Sequence, residues 1–402
     1  MGTDMGDLRV PLEIAGTTFS DYEFAWTWET SQLLARATGC SIREASDVSR
    51  MMKTSGAAGH PMVPFNGALL ARNRDEVMDQ LIGGYANWQQ VGRWGSGLAK
   101  FFGAVPQAGR GRVSSRITEV GGTSKGHALV RFNFEVHDVS SGAQLLEGWM
   151  LMFLLGCAPD GAGSLTAPRI AIPERAADEV VAHDTDVNVT FDWAVPSGDW
   201  NTTHFIQQEG NPAPLTHGPR NMGLVISDAS RVFAGGDVAR LAEITIGSLP
   251  APHYPPEPTE TRFWKEGDRI LGRLVVPAAG RIDGGDGDKV CIDQIELRFL
   301  VRASGSAMHC KEAQTVASAG RELMWGSLSP RSRRMREAAL PKPARGRQPG
   351  PDRAFRVPGN HPRPCPGSGA VRRRAAGPIP VSGAPGGPAR TARPAVPAPR
   401  TA

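Results

Sequence analysis

The stretch VPSGDWNTTHFIQQEGNPAPLTHGPRNMGL, residues 195–224, decides how this sequence is interpreted. Ser197, Gly198 and Asp199 predict a turn that presents a carboxylate, and His204 follows five residues after Asp199. A carboxylate paired with an imidazole can hold and polarise a water molecule, because the two groups accept and donate protons at complementary pKa values. The spacing therefore predicts that Asp199 and His204 face one pocket, although such a pair is more often an ordinary surface pair when only spacing is considered.

The same stretch contains residues that are predicted to stabilise the Asp199–His204 pair. Asn201 lies between the two residues and can fix the turn by hydrogen-bonding to its own backbone. His217 and Gly218 stand at the predicted start of a helix over residues 218–233, with Pro219 suited to its first turn. Free backbone N–H groups at a helix start are donors for a developing oxyanion. Taken singly, His217 is equally well read as a packed or capping residue.

Together, SGDWNTTHF (residues 197–205) and PLTHGPRNMGL (residues 214–224) resemble the signature of the MaoC-like dehydratases and type 2, (R)-specific enoyl-CoA hydratases. In that family a Gly-Asp-x-Asn-x-x-His turn precedes a hydrophobic-x-His-Gly helix start, and order, spacing and interval agree over about 30 residues. The segment LPAPHYPPEPTETRFWKEGDRI (residues 249–270) is similar to the Pro-x-Tyr-Pro approach of the two-domain members.

The sequence departs from the family pattern at three places. Thr202 stands where the family usually has Pro, which is expected to loosen the turn without removing a reactive group. Arg220 occupies a commonly apolar position, so we expect it either to line the mouth of the site or to point at the phosphates of a carrier. Residues 254–261 lack the Gly-Asp that often follows the Pro, which bears on the edge of the acyl site and leaves the pair unaffected.

The resemblance implies an α+β double hot-dog fold, in which each half wraps a long central helix in an antiparallel sheet. The predicted domains are an N-terminal hot-dog half without catalytic residues at 1–158, a linker at 159–180, a catalytic half at 181–305, and a basic tail rich in Pro, Arg, Ala and Gly at 306–402 that is expected to be disordered.

The resemblance also implies a hydro-lyase that adds or removes water at a 2-enoyl or (3R)-3-hydroxyacyl thioester. Asp199 and His204 are the expected catalytic pair, and the N–H of Gly218 is the expected oxyanion donor. Asn201, His217 and Arg220 are expected as supporting or substrate-binding residues. No metal and no redox cofactor is expected, because the coenzyme A or acyl-carrier arm belongs to the substrate.

Periodicity supports two α+β halves. In the first half, Trp28–Thr38 and residues 68–91 predict helices, the second broken near Gly83 and Gly84, and residues 112–155 alternate as antiparallel strands. In the second half, residues 186–193 predict a strand before the helix that starts near Gly218. Further strands are predicted at residues 242–246, 261–264, 269–276 and 289–300.

The first half is expected to lack a second catalytic pair. Aligning ARATGC, residues 35–40, with VPSGD places Cys40 where Asp199 stands, and no His follows within ten positions. A buried small side chain is the favoured interpretation of Cys40, and a nucleophile is the alternative. In the two-domain hydratases that the chain resembles, the first half gives up its catalytic residues and makes room for a bulky acyl chain.

The net charge of +5 averages two different polymers. Residues 328–402 hold 16 Lys or Arg, two acidic residues and 16 of the 33 prolines, which leaves 29 basic and 38 acidic residues in the body. Nucleic-acid binding is therefore not expected as the main role, and a tail produced by a reading-frame change is one hypothesis. Five cysteines in an odd set without CxxC spacing indicate a reducing compartment and argue against structural zinc.

The longest apolar run has seven residues, at 149–155, so a buried strand is expected there and no membrane span. The expected location is cytoplasmic, or peroxisomal in a eukaryote, although the C-terminus carries no SKL-type signal, and a homodimer is compatible with the sequence. Three competing functions stay open: a hot-dog thioesterase, a non-catalytic acyl-CoA-binding subunit, and a nucleic-acid-binding protein that depends on the tail. His309 with Cys310 has no second pair at metal-ligand spacing, and residues 283–290 predict a hairpin turn rather than a calcium loop.

Overall fold

One antiparallel sheet of ten strands contains elements of both predicted halves. The computed structural model describes residues 9–40, 58–84, 89, 91–161 and 165–300. The predicted disordered tail, His309 and Cys310 lie outside the described residues. Two further sheets have two strands each within the described part of the chain.

The strands and helices are numbered here in chain order. The strands are β1 (Arg9–Pro11), β2 (Tyr22–Trp26), β3 (Ala58–Gly59), β4 (Gly92–Phe101), β5 (Val105–Pro106), β6 (Gly109–Gly122), β7 (Ala128–Asp138), β8 (Gln144–Leu154), β9 (Ala158–Asp160), β10 (Glu179–His183), β11 (Leu241–Ser248), β12 (Thr259–Glu266), β13 (Arg269–Val276) and β14 (Lys289–Phe299). The helices are α1 (Trp28–Ala37), α2 (Met62–Arg72), α3 (Asp75–Ile82), α4 (Val189–Ser197) and α5 (Gly218–Phe233).

The large sheet has the order β10-β12-β13-β14-β11-β4-β8-β7-β6-β2. Read outward from the centre, the first half contributes β4-β8-β7-β6-β2 and the second contributes β11-β14-β13-β12-β10. Of the five strands that each half contributes to this sheet, the first along the chain (β2 or β10) lies at the outer edge and the second (β4 or β11) lies at the centre. The two halves therefore have the same topology, which supports the predicted repetition although their sequences are dissimilar.

The halves join where β4 pairs with β11, with Lys100 opposite Glu243 and Gly97 opposite Ile246. Because this contact continues the hydrogen-bonded ladder, the sheet has no free edge at its centre. A helix packs on the sheet in each half, α2 on β6, β7 and β8, and α5 on β12, β13 and β14. This arrangement is the predicted α+β double hot-dog fold.

The central helix α5 is buried along most of its length, from Pro219 to Ser230. Its first turn contains Pro219, which suits that position because the missing N–H would have no helical acceptor there. The predicted helix over residues 218–233 is thus confirmed. The predicted strand in the apolar run at residues 149–155 is confirmed as part of β8, and no described helix combines the length and apolar character that a bilayer crossing requires.

Two predicted elements were wrong in part. Residues 186–193 were predicted as a strand, but α4 occupies Val189–Ser197, because Thr190, Trp193, Ala194 and Ser197 are buried at helical spacing. This helix packs against α1. The predicted helix over residues 68–91 is divided earlier than expected, between α2 and α3, and Gly83 caps the end of α3 in the left-handed region. The domain boundaries stay a prediction.

Candidate active site

The turn after α4 carries the predicted carboxylate. Gly198 caps the helix with φ +72°, a left-handed conformation that glycine adopts without steric cost, and its N–H donates to Ala194. Asp199 follows at once, and its N–H donates to the Ser197 hydroxyl over 3.2 Å. The end of α4 therefore fixes the backbone position of Asp199.

Asn201 stabilises the next turn as expected. Its side-chain oxygen accepts from the N–H of Thr203 over 3.2 Å and from the Thr203 hydroxyl over 3.1 Å. This places His204 at the end of a single 3₁₀ turn, Thr202–His204. Thr202, which replaces the usual proline, donates its hydroxyl to Gln89 of the first half over 3.3 Å.

The structure brings Asp199, His204 and His217 together. One carboxylate oxygen and one ring nitrogen from each histidine all lie within 4.8 Å of one another. The rings of His204 and His217 are stacked, with centroids 3.6 Å apart and planes inclined by 27°. Asp199 and His204 are half-buried, whereas His217 is completely buried. The pair predicted from the sequence is thus adjacent in space, and a second imidazole lies against it.

Main-chain carbonyls define the tautomers of both rings. Nδ1 of His204 lies 2.9 Å from the carbonyl oxygen of Leu215, and Nε2 of His217 lies 3.0 Å from that of Asp199. A carbonyl can only accept, so these two nitrogens carry the protons when the rings are neutral. The lone pair of His204 is therefore on Nε2, which makes Nε2 the atom that can accept a proton.

The surroundings keep both imidazoles neutral. Burial lowers the pKa of His204 below its ordinary value of 6.5, and Arg93 acts in the same direction, against the opposing effects of Asp199 and the Leu215 carbonyl. Burial, followed by the nearby His204, holds the pKa of His217 well below that value. A neutral His204 is the form that can act as a base.

Gly218 is the first residue of α5, so its N–H has no acceptor within the helix. A Cβ at this position would lie 3.2 Å from Cε3 of Trp94 and 3.3 Å from Cδ2 of Leu249. Glycine thus allows Trp94, from the first half, to pack closely against the helix start. The N–H next to His217 is the donor that the sequence predicted for an oxyanion.

The three ligand atoms could in principle hold a metal ion, but the ring geometry favours acid–base chemistry. An imidazole binds a metal through a lone pair in the plane of its ring, and two stacked rings direct these lone pairs side by side rather than toward one point. In addition, one nitrogen of each ring is already donating to a main-chain carbonyl. The predicted absence of a metal stays a prediction.

Exposed aromatic side chains flank the turn. Phe191 and Trp200 are 51% and 53% exposed. The ring of Phe205 lies 4.9 Å from that of Phe191 and 5.4 Å from that of Trp200, and it meets the ring of His217 edge-on at 6.0 Å. This aromatic rim, formed by Phe191, Trp200 and Phe205, gives the site an apolar border on the side of α4.

Arg220 lies in a different place from the one expected. Its side chain is 6% exposed and donates from Nε to the carbonyl of Ala37 over 3.0 Å and from Nη1 to Asn221 over 3.2 Å. Burial lowers the pKa of Arg220 to about 10, still far above neutrality. The guanidinium therefore binds the end of α1 inside the protein, because the last carbonyls of a helix need donors, and it is not at a mouth or facing a carrier.

The equivalent turn of the first half has Cys40 at the position that Asp199 occupies in the second half. Cys40 follows Gly39 at the end of α1, as Asp199 follows Gly198 at the end of α4. The Cys40 thiol donates to the Ser227 hydroxyl over 3.4 Å, and Nε2 of His60 lies 3.3 Å from the same oxygen. The Nδ1 atom of His60 accepts from the N–H of Met62. His60 therefore has no lone pair directed at Cys40, which favours the interpretation of Cys40 as a packed side chain.

Several residues at the site come from the first half and were not predicted. Asn66 donates its side-chain amide to the carbonyl of Ser197 over 2.9 Å, Gln89 accepts from Thr202, and Trp94 packs on Gly218. Arg93 is close enough to influence the charge of His204. No local pattern identifies these residues, because each acts across more than 100 positions of sequence.

The chain is similar to known proteins in sequence and in fold, although no family model matches it. Mouse peroxisomal multifunctional enzyme type 2 is 23% identical in an alignment of 277 residues that covers 66% of this chain and 36% of the mouse protein. The chain thus spans about a third of the length of that relative.

Two solved structures have similar folds. Full-length peroxisomal multifunctional enzyme type 2 from Drosophila melanogaster has a TM-score of 0.55 at 20% identity, covering 70% of this chain and 48% of that one. A MaoC-like dehydratase from Phytophthora capsici has a TM-score of 0.59 at 20% identity, covering 72% of this chain and 98% of that one. The predicted hot-dog fold and the predicted resemblance to MaoC-like dehydratases are confirmed.

Proposed function

We propose that this protein is a hydro-lyase that adds water to a 2-enoyl thioester, or removes water from a (3R)-3-hydroxyacyl thioester, with Asp199 and His204 as its catalytic pair. The observation that carries the proposal is that a carboxylate and a neutral imidazole lie together with His217, whose neighbour Gly218 supplies the first N–H of α5. Hydration needs a base for water, an acid for the α-carbon and a donor for the enolate oxygen, and these groups supply all three.

In the proposed reaction, water is held between the Asp199 carboxylate and Nε2 of His204. As the water oxygen bonds to C3 of the enoyl group, Nε2 takes one of its protons and the electrons of the double bond move toward the thioester carbonyl. The imidazolium is stabilised by the carboxylate and then returns the proton to C2. One molecule of water has been added, and both side chains regain their initial states.

The N–H of Gly218 is the proposed donor to the thioester oxygen, on which negative charge develops. A preorganised donor of this kind contributes on the order of 3–4 kcal/mol to transition-state stabilisation. The dipole of α5, whose N-terminus lies at the same place, acts in the same direction. The aromatic rim suits the uncharged part of an acyl thioester, because apolar rings favour contact with apolar groups.

The first half is proposed to support the site without catalysing the reaction. Its equivalent turn carries Cys40 in place of Asp199. Asn66 of the first half contacts Ser197, in the turn that carries Asp199, and Trp94 packs against Gly218, the proposed oxyanion donor. The mouse relative is named as a peroxisomal protein, and a cytoplasmic or peroxisomal location for this chain stays a prediction.

The test is a spectrophotometric hydration assay with enoyl-CoA substrates of graded chain length, coupled to an (R)-specific 3-hydroxyacyl-CoA dehydrogenase. Asp199→Asn and His204→Ala should each lower kcat by about 10²-fold or more. Cys40→Ala is the matched control, since Cys40 occupies the equivalent turn of the first half, and it should retain the wild-type rate.

Three other outcomes would contradict the proposal. Release of free thiol with no change in the enoyl absorbance would indicate a thioesterase. Binding of acyl-CoA without turnover would indicate an acyl-binding subunit. Wild-type hydration rates in both Asp199→Asn and His204→Ala would remove the catalytic pair.

A further inference from the structure

His217 is the most unusual polar side chain near Asp199 and His204, the candidate catalytic dyad. It is 0% exposed and immediately precedes α5, and its Nε2–H donates to the main-chain carbonyl of Asp199 over 3.0 Å. This bond crosses 18 residues and ends on the residue that carries the candidate catalytic carboxylate. The imidazole therefore ties the start of α5 to the backbone of Asp199.

The opposite nitrogen of this ring makes no comparable contact. Nδ1 of His217 is buried and has no hydrogen-bond partner among the described residues. Leaving a buried polar atom without a partner costs about 1–3 kcal/mol. If position 217 served only to fill space, an apolar side chain would therefore be more stable there than histidine. A protonated Nδ1 would be costlier still, since a charged donor would be buried without an acceptor. The ring is thus retained as a neutral donor with an aromatic face.

That face lies against His204. The rings are 3.6 Å apart, and Nδ1–H of His204 donates to the carbonyl of Leu215, two residues before His217. The plane of His204 is therefore fixed at its edge by one carbonyl and on its face by a second ring. Both constraints come from the short segment that leads into α5, and they leave only Nε2 of His204 directed away from its supports.

We infer that His217 is a positioning residue for both members of the dyad: it holds Asp199 through its main-chain carbonyl and holds the plane of His204 by stacking, without touching the substrate. This inference rests on the proposed function and replaces the expectation that His217 binds substrate. It predicts that the donor and the aromatic face of His217 have separable contributions.

Two substitutions separate these contributions. His217→Phe keeps an aromatic face for His204 and removes the donor to Asp199, whereas His217→Gln keeps an amide donor and removes the ring. His217→Leu removes both. The matched control is His60→Phe, because His60 is also a buried histidine just before a central helix, but in the half without the dyad.

Hydration kinetics provide the first measurement. His217→Phe and His217→Gln should each lower kcat by roughly tenfold, and His217→Leu by about 10²-fold, because misplacement of a catalytic group by about 1 Å costs up to that factor. KM should change by less than about threefold, since ground-state binding does not use this residue. His60→Phe should lower the melting temperature and leave kcat unchanged. A raised KM with unchanged kcat would show that His217 contacts substrate and would overturn the inference.

A second measurement does not depend on turnover. In full-length protein labelled with ¹⁵N-histidine, His204 should be found as the Nδ1–H tautomer at neutral pH, and His217→Leu should mix in the other tautomer. An unchanged His204 spectrum in a folded His217→Leu protein would contradict the inference. If the wild-type protein hydrated no enoyl thioester but gave the expected spectra, the proposed function would fail while the positioning role stood.

Discussion

The side-chain amide of Asn66, on α2 of the first half, donates to the carbonyl oxygen of Ser197, two residues before Asp199. Asn66 is 6% exposed, so the bond is formed away from water. The last carbonyls of α4 have no N–H donor within the helix, and the Ser197 carbonyl receives its donor from the other half of the chain. The position of the candidate catalytic turn therefore depends on a contact from the first half of the chain.

Asn66→Leu should lower both stability and activity. Loss of the donor leaves the Ser197 carbonyl buried and unpaired, which should cost about 1–3 kcal/mol in the free energy of unfolding. The turn should also relax, so kcat for hydration should fall by roughly tenfold with KM little changed. Urea unfolding and steady-state kinetics measure the two effects. Asn133→Leu, which removes a side-chain bond to Thr118 within the first half, should destabilise without changing kcat, and an equal loss of kcat there would contradict this reasoning.

The pH dependence of hydration should report the environment of His204. The proposed base must be neutral, and burial lowers its pKa below 6.5, so the acid limb of the rate profile should lie below pH 6.5. Between about pH 7 and 6.5 kcat/KM should be nearly constant, and below the apparent pKa it should fall about tenfold per pH unit. A half-maximal rate above about pH 7 would mean that the surroundings of His204 raise its pKa instead of lowering it.

Two buried histidines should make the protein sensitive to acid. Burial lowers the pKa of His60 and of His253 to about 3. Because each takes up its proton near pH 6.5 when unfolded, the unfolded chain binds more protons between about pH 6.5 and 3, and stability falls as the pH falls through that window. Each should contribute about 1.4 kcal/mol per pH unit. Urea unfolding of wild type and His60→Gln at pH values from about 6.5 to 4.5 should give slopes that differ by this amount, and parallel slopes would refute the assignment.

Gly218→Pro tests the oxyanion donor. Proline removes the N–H, is tolerated at the first helical position, and suits the extended backbone of His217, with φ −63° and ψ 126°. Gly218→Ala is the matched control, because it places a similar Cβ against Trp94 and keeps the N–H. The proline variant should have a kcat about 10²–10³-fold below that of the alanine variant. Equal rates would show that this N–H does not contact the reacting oxygen.

Lys289 and Glu257 form a buried ion pair that supports the segment next to the site. The ammonium lies 2.7 Å from both carboxylate oxygens, and the two side chains are 5% and 0% exposed. Glu257 also accepts from the N–H of Tyr254, and the carbonyl of the adjacent His253 accepts from Thr216, which precedes His217.

Lys289→Met should therefore lower the free energy of unfolding by about 3–5 kcal/mol, because it leaves a buried carboxylate without its partner. Adding Glu257→Gln should restore part of this loss, since the amide is neutral and can still accept from Tyr254. Chemical denaturation of the single and double variants measures the coupling. A double variant less stable than Lys289→Met would mean that the carboxylate is not the source of the cost.

Local signals were sufficient to predict that Asp199 and His204 lie together and that α5 begins at Gly218, because a Gly-Asp turn, an Asx-type turn at Asn201 and a His-Gly-Pro helix start all act within a few residues. They failed for α4, where the alternation at residues 186–193 imitates a strand and burial against α1 decides the outcome. They also missed β4, which contains three glycines, Gly92, Gly95 and Gly97, and pairs with a neighbouring strand on each side. Asn66 and Trp94 were missed because only the folded chain brings them to the site.

The pairing of β4 with β11 also affects how the fold responds to dilution. Two separate hot-dog subunits would make this contact only by associating, so their active form would be lost at low protein concentration. Here one polypeptide supplies both strands, and the effective concentration of each for the other is set by the chain that connects them. The integrity of the sheet around the candidate site is thus expected to be independent of protein concentration, whatever further assembly the protein undergoes.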